Sequence, residues 1–220
     1  MLTRRHFIIT SAALFSARAV SLPSSAEAAT QSQKWAAWDA QVTPPNFDPY
    51  TSNPWRLHPR FLPTQVEANP GLATGSVHVD AVARYVYHVR GDGTAMRYGC
   101  AIGKGDLYLP GTYTIRVKRK WPSWTPTKAM IEREPEKYKQ HENGMKPGPQ
   151  NPLGSRALYL YKGSRDTYLR IHGTPNPRSI GSQASSGCVR MVMAHINQLY
   201  PNIQTGSTAT LYPKRVTAGR

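Results

Sequence analysis

Ile171-His172-Gly173-Thr174, then Ile180-Gly181, then Ser185-Ser186-Gly187-Cys188-Val189-Arg190-Met191 is the stretch around which this 220-residue chain organises itself. Residues 167–172 read as a strand, with Tyr168, Arg170 and His172 on one face and Leu169 and Ile171 on the other. His172 ends that strand, and Gly173 permits a sharp turn. A Ser- and Gly-rich loop then returns to Cys188. Val192, Ile196, Leu199 and Tyr200 recur at helical spacing, so a helix is expected after the Cys188 region.

That arrangement has a chemical reading. Backbone N–H groups in such a loop can converge on one point and stabilise a developing oxyanion, with Ser185, Ser186 and Gly187 shaping the loop. A thiol, with an ordinary pKa of about 8.5, is acidified beside an imidazolium or a helix N-terminus. Cys188 and His172 thus read as a thiolate–imidazolium pair suited to acyl transfer, nucleophile and base respectively. Arg190 adds a positive charge that can hold a substrate carboxylate or anchor the loop. Taken singly, His172 and Cys188 would each read more simply as structural residues. Zinc is disfavoured, because structural sites take four ligands and catalytic sites usually three. No second Cys or His stands at ligand spacing near Cys188, and His195 is seven residues on. No metal and no cofactor is expected.

Working outward, the flanking segments are strand-like. Val77 and Val79 alternate with His78 and Asp80, and residues 84–89 are rich in Tyr and Val. Gly91-Asp92-Gly93 turns the chain into residues 94–102, where Met96, Tyr98, Cys100 and Ile102 share a face, so Cys100 reads as a small core residue. Residues 111–118 and 208–212 give further strands, and 156–161 with 167–172 give a hairpin across 162–166. Residues 121–148 interrupt this pattern. Thr127 is placed to cap a short helix over 128–133, and the segment reads either as a substrate lid or as a plain surface insertion. Pro (19) and Gly (17) are plentiful, which favours a loop- and strand-rich fold over a helical bundle. The class expected is mainly β: a sandwich or mixed sheet with a short helix after the cysteine loop.

Residues 29–75 show no persistent period and read as an irregular strap, its Trp and Phe residues packing onto the domain. Residues 1–28 read as an export signal, with Arg4-Arg5, a short apolar stretch and a small-x-small site at Ala26-Glu27-Ala28. The paired arginines followed by Phe7 favour the twin-arginine route. The apolar stretch is too short to span a bilayer, which takes about 20 residues. The signal's Arg4, Arg5, Arg18 and Glu27 carry a net +2, so +14 of the formal +16 remains on the rest. Such a charge attracts polyanions. The export signal and the lack of any nucleic-acid motif argue against DNA or RNA, leaving envelope anions. Cys100 and Cys188 are too few for a disulfide scaffold, though an oxidising compartment permits one bridge between them.

These residues resemble a known family. His172-Gly173-Thr174 with Ser185-Ser186-Gly187-Cys188-Val189-Arg190-Met191 is similar to the L,D-transpeptidase (YkuD-type) catalytic domain. The resemblance extends to Tyr98–Gly103, Pro110–Ile115, Trp121–Thr127, Asn151–Gly154 and Arg156–Tyr161, covering roughly residues 74–213, with 214–220 as a tail. Many members carry His where Ser186 stands. The resemblance implies peptidoglycan stem peptides as partners, a Cys188 thioester and release of D-Ala. The acceptor is then an amine of a second stem, water, or an envelope protein's N-terminus. Gly173, Thr174 and Arg190 would line the substrate, and a backbone carbonyl or Ser185 or Ser186 would orient His172. The other readings are a carboxypeptidase or a non-catalytic wall-binding module. No transmembrane span is expected in the mature form, which is placed in the periplasm or envelope.

Overall fold

A computed structural model describes residues 25–215. Most of the export-signal expectation falls on residues 1–24, outside the described residues, and so do residues 216–220.

Residues 29–75 are not uniformly irregular. Helix α1 runs Ser25–Val42 and takes in the expected cleavage site. Ala29, Ala36, Ala37 and Ala40 supply helix propensity there without an apolar stripe, so a search for periodicity misses it. Tertiary contacts hold the helix down. Trp38 meets Trp121 edge-on at 5.1 Å, and Asp39 accepts two bonds from the Arg156 guanidinium at 2.9 and 2.6 Å. From Thr43 onward the chain is a strap, as expected, with Phe47 and Trp55 packed against His195.

Eleven strands follow among the described residues: β1 Thr64–Glu67, β2 Val77–Asp80, β3 Tyr85–Val89, β4 Thr94–Gly99, β5 Ile102–Gly103, β6 Gly111–Lys120, β7 Arg156–Lys162, β8 Arg165–Thr174, β9 Gln183–Ser185, β10 Val189–Val192 and β11 Thr208–Leu211. Nine form one mixed sheet in the order β1-β4-β3-β2-β11-β6-β7-β8-β10, and β5 pairs with β9. Only β2/β11 and β8/β10 run parallel within the large sheet. The last strand, β11, sits in the middle, bonded to β2 on one side and β6 on the other. The fold is therefore mainly β and closed by pairings distant in sequence. The hairpin turn between β7 and β8 is tighter than expected, because both strands extend inward to Lys162 and Arg165.

Met96, Tyr98, Cys100 and Ile102 are all buried in the core with Ile115, Leu158, Ile171 and Met191. Yet β4 stops at Gly99, earlier than the alternation suggests. A side chain on Gly99 would lie 2.5 Å from Phe61 Cβ, so the strap crosses there. Beyond it Ala101 exchanges two backbone bonds with Arg190, and Ile102 N–H donates to Ser182. The chain thus leaves β3 to pair with the segments that flank Cys188.

The insertion is ordered by its own contacts. Helices α2 (Lys128–Arg133) and α3 (Pro135–Tyr138) lie in it, and Thr127 Oγ1 accepts the Met130 N–H, the cap expected. Trp124 and Met145 exchange backbone bonds and close its base. The last helix, α4, spans Met193–Leu199.

Candidate active site

Strands β8 and β10 lie side by side in parallel, with Val189 opposite Ile171 and Arg190 opposite His172. Residues opposite each other, and residues two apart along a strand, project to the same face. Arg170, His172 and Arg190 therefore share one face, and Cys188 sits in the bend just before β10. One expectation needs correction. His172 does not end its strand, since β8 continues to Thr174. The helix expected after the Cys188 region is α4, Met193–Leu199, but β10 separates it from the cysteine. Val189, Met191 and Val192 are buried in β10, so core packing draws these residues into the sheet edge. A helix N-terminus therefore does not act on the thiol.

His172 is buried, and its Nδ1 lies 2.6 Å from the Gly173 carbonyl oxygen. A carbonyl only accepts, so Nδ1 carries the proton and Nε2 is left as the basic nitrogen. Ser185 and Ser186 do not serve this ring. Ser185 Oγ donates to the Cys188 carbonyl at 2.5 Å and accepts the Gly187 N–H at 3.2 Å, fixing the loop's shape. Ser186 Oγ instead pairs with the Tyr138 hydroxyl at 2.9 Å. The Cys188 thiol donates to the Tyr168 carbonyl at 3.6 Å. Tyr168 has φ of +60° beside an irregularity in the β7/β8 register, and its own ring is exposed. It therefore breaks the expected alternation with Arg170 and His172.

The electrostatics differ from a resting ion pair. Burial, then the Arg190 charge, lowers the His172 pKa to about 3, and the Gly173 and Leu153 carbonyls only partly oppose this. Burial raises the Cys188 pKa, opposed by the Arg170 N–H and by the Arg170 and Arg190 charges. These shifts favour the uncharged thiol and the uncharged imidazole over an ion pair. A neutral imidazole in this tautomer can accept a proton at Nε2.

The two arginines are not equivalent. Arg170 is buried, forks onto Asp166 at 2.7 and 2.8 Å, and lies 3.8 Å over the Tyr159 ring. Arg190 makes no ion pair among the described residues, and burial lowers its pKa. Gly187 has φ of +129°, and a Cβ there would meet the Leu107 carbonyl oxygen at 2.9 Å, so only glycine fits. Thr174 is buried, and its hydroxyl accepts the Asn176 N–H. Gly173 lends its carbonyl to His172. Arg170, Leu153 and Tyr138 were not singled out from the sequence. Arg170 alone carried a signal, two residues before His172 on the same strand face.

Cys100 and Cys188 are both free thiols, and burial pushes the Cys100 pKa up strongly. Among the described residues no helix is long and apolar enough to cross a membrane.

Comparison with known proteins gives a family. The L,D-transpeptidase catalytic domain model, YkuD, matches residues 74–215. YbiS of Escherichia coli K12, named a probable L,D-transpeptidase, is 29% identical over 71% of this chain and 50% of its own length. The ORF 5 protein of the ATP synthase subunits region of Fuscovulum blasticum, whose name carries a similarly provisional L,D-transpeptidase assignment, is 38% identical over 46% of this chain and 49% of its own. The chain thus spans about half the length of these curated relatives. A crystal structure from Brucella melitensis, described as a probable carnitine operon oxidoreductase, is 47% identical over 70% of this chain and 96% of that one, with a TM-score of 0.49. That description stays with the Brucella protein. Over most of its described length, this chain belongs to the YkuD family of L,D-transpeptidase catalytic domains.

Proposed function

We propose that the chain is an exported peptidoglycan L,D-transpeptidase in which Cys188 is the nucleophile and His172 the base. The observation that supports this is the parallel pairing of β10 on β8, with Arg190 opposite His172 and the Cys188 thiol, one residue before β10, bonded to the Tyr168 carbonyl of β8. Cys188 Sγ attacks the carbonyl that joins the third stem residue to its terminal D-Ala, and its proton passes to His172 Nε2. The developing oxyanion rests on the Cys188 and Gly187 N–H groups, replacing the long Gly187–Ser185 bond. The imidazolium then protonates the departing D-Ala amine, leaving a thioester on Cys188. An amine of a second stem or of an envelope protein attacks the thioester and restores the thiol.

The imidazole is held neutral in the resting site, which supports this sequence. A neutral ring can accept a proton, and once charged beside Arg190 it gives that proton up readily. Arg190 receives a stem carboxylate. Residues 121–148 act as a lid whose Tyr138 touches the Cys188 loop. Residues 1–28 direct export, 29–73 form an anchoring extension, and the remainder to residue 213 is the catalytic unit. Incubating the mature protein with defined tetrapeptide stems and weighing the products tests the proposal. Release of D-Ala with a mass-shifted Cys188 peptide is expected. D-Ala release undiminished in Cys188→Ala would overturn it.

A further inference from the structure

Strand β8 carries an irregularity beside the Cys188 sulfur. Tyr159 of β7 faces Arg170, and Tyr161 faces Asp166. Leu160 therefore stands opposite Thr167, Tyr168 and Leu169 together, a bulge of two extra residues. Tyr168 at its apex has φ of +60° and is 68% exposed. A tyrosine keeps that backbone conformation only where its surroundings impose it.

Two side chains impose it. Asp166 Oδ1 accepts the Tyr168 N–H at 2.9 Å and Arg170 Nη1 at 2.7 Å, while its Oδ2 accepts Arg170 Nη2 at 2.8 Å. The carboxylate thus ties the residue before the bulge to its apex and to the residue after it. Thr167 Oγ1 donates to the Leu160 carbonyl at 2.5 Å and accepts the Leu169 N–H at 3.3 Å, replacing the cross-strand bonds that the extra residues interrupt. Burial would raise the Asp166 pKa, but the Arg170 and Tyr168 bonds outweigh it and hold it below the ordinary value. The clasp is therefore an ionised carboxylate at neutral pH.

The backbone of this bulge meets the thiol. Strand β10 begins at Val189, opposite Ile171, so it does not cover the edge of β8 before Ile171. The sulfur takes that edge, donating to the Tyr168 carbonyl at 3.6 Å and accepting the Arg170 N–H. The carbonyl suits the thiol and the N–H suits the thiolate. Both belong to residues that Asp166 clasps. With Cys188 taken as the nucleophile of the proposed function, we propose that Asp166 is a positioning residue: with Thr167 it holds the β8 bulge in the conformation that offers the Tyr168 carbonyl and the Arg170 N–H to the Cys188 sulfur.

The competing role, a counter-charge for Arg170 and nothing more, has the opposite sign. The charges acting on the sulfur are Arg170 and Asp166 of β8 and Arg190 of β10. Burial raises the Cys188 pKa most, and the Asp166 charge adds to that. Removing a mere counter-charge would therefore make the thiol more reactive. Removing a clasp withdraws the N–H from the thiolate and makes it less reactive.

The test is the rate of iodoacetamide alkylation of the whole mature protein from pH 6 to 10, read by mass on the Cys188 peptide. Asp166→Ala, and independently Thr167→Ala, should slow alkylation at pH 7.5 by at least about 5-fold and move the midpoint of the profile up by about 0.5–1 unit. Asp166→Asn keeps an oxygen for Tyr168 and Arg170, and should react at least as fast as the parent. Thr167→Ala strands no charge, so it decides the matter even where Asp166→Ala does not fold. A folded alanine variant that reacts as fast as the parent or faster, or Asp166→Asn as slow as Asp166→Ala, would overturn the assignment. Alkylation needs no wall substrate, so the two readings separate. D-Ala release by the parent with unshifted variant profiles would overturn the positioning role alone, and shifted profiles without D-Ala release would overturn the proposed activity alone.

Discussion

The Tyr138 hydroxyl lies 2.9 Å from Ser186 Oγ, across 48 residues of sequence, and so fastens the insertion to the loop that ends in Cys188. Tyr138 is buried, with Trp124 at 6.1 Å on one side and the Lys137 ammonium 4.8 Å from its ring. The insertion is therefore a packed neighbour of the site. Tyr138→Phe keeps the ring and removes the bond, which is worth about 0.5–1.5 kcal/mol. Turnover of stems should fall by roughly 2- to 10-fold, with the melting temperature lowered by only a few degrees. Steady-state kinetics beside a thermal melt check this, and unchanged kinetics would remove the insertion from the reaction.

Arg190 makes no ion pair among the described residues, whereas Arg170 is fully committed to Asp166. Arg190→Ala should raise KM for carboxylate-bearing stems by roughly 10- to 100-fold, the range expected for a charged hydrogen bond of about 1.5–3 kcal/mol. An amidated stem lacking that carboxylate should show little difference between variant and parent. If both substrates suffer equally, Arg190 shapes the loop and does not bind substrate.

Asp39 on α1 carries the charge that neutralises Arg156, whose side chain is 9% exposed against 31% for Asp39. Removing one partner strands a buried charge, which costs 3–5 kcal/mol when fully buried. With Asp39 partly exposed, Asp39→Ala should cost about 2 kcal/mol, read as a lower denaturation midpoint. Asn197 also touches Asp39 at 3.4 Å, so Asn197→Ala combined with Asp39→Ala should give less than the sum of the two.

Acid should destabilise the fold well above the range where carboxylates protonate. His172 and His195 both have pKa values lowered to about 3, by burial first in each case, and His78 and His88 are lowered too. The unfolded chain takes up these protons near pH 6.5 and the native chain does not. Stability is therefore intact above about 6.5 and declines as pH falls from there toward 3. Denaturant titrations at pH 7.5 and 5.0 should show a clearly lower midpoint at 5.0. An unchanged midpoint would mean that these imidazoles are hydrated in solution.

Gly187→Ala should abolish activity out of proportion to its effect on folding. A Cβ at φ +129° and 2.9 Å from the Leu107 carbonyl forces the loop to move, and that loop positions the Cys188 N–H. Activity should drop by at least about 100-fold, the usual cost of losing one oxyanion donor. Circular dichroism should still show the sheet.

Much of this molecule could be read along the chain. Alternation placed Met96, Tyr98, Cys100 and Ile102 in the core, and all four are buried. Thr127 capped its helix as its chemistry required. The motif around His172 and Cys188 was enough to name the family, because Gly, Ser, Cys and Arg at that spacing answer to a local loop geometry. Helix α1 escaped because alanine propensity leaves no stripe, and because Trp38 and Asp39 find their partners 83 and 117 residues away.

What tertiary structure alone decided concerns the surroundings of the sulfur and the imidazole. The sequence singled out the two residues proposed as nucleophile and base and the Ser/Gly loop between them. It could not tell that the residues after Cys188 form a strand before the helix, since Val189, Met191 and Val192 suit either, and only the open edge of β8 selects one. It could not choose the Gly173 carbonyl over Ser185 or Ser186 as the partner of His172. Nor could it give the charge state of the pair. Burial and the two neighbouring arginines set that, and both effects depend on distances that exist only after the sheet has closed.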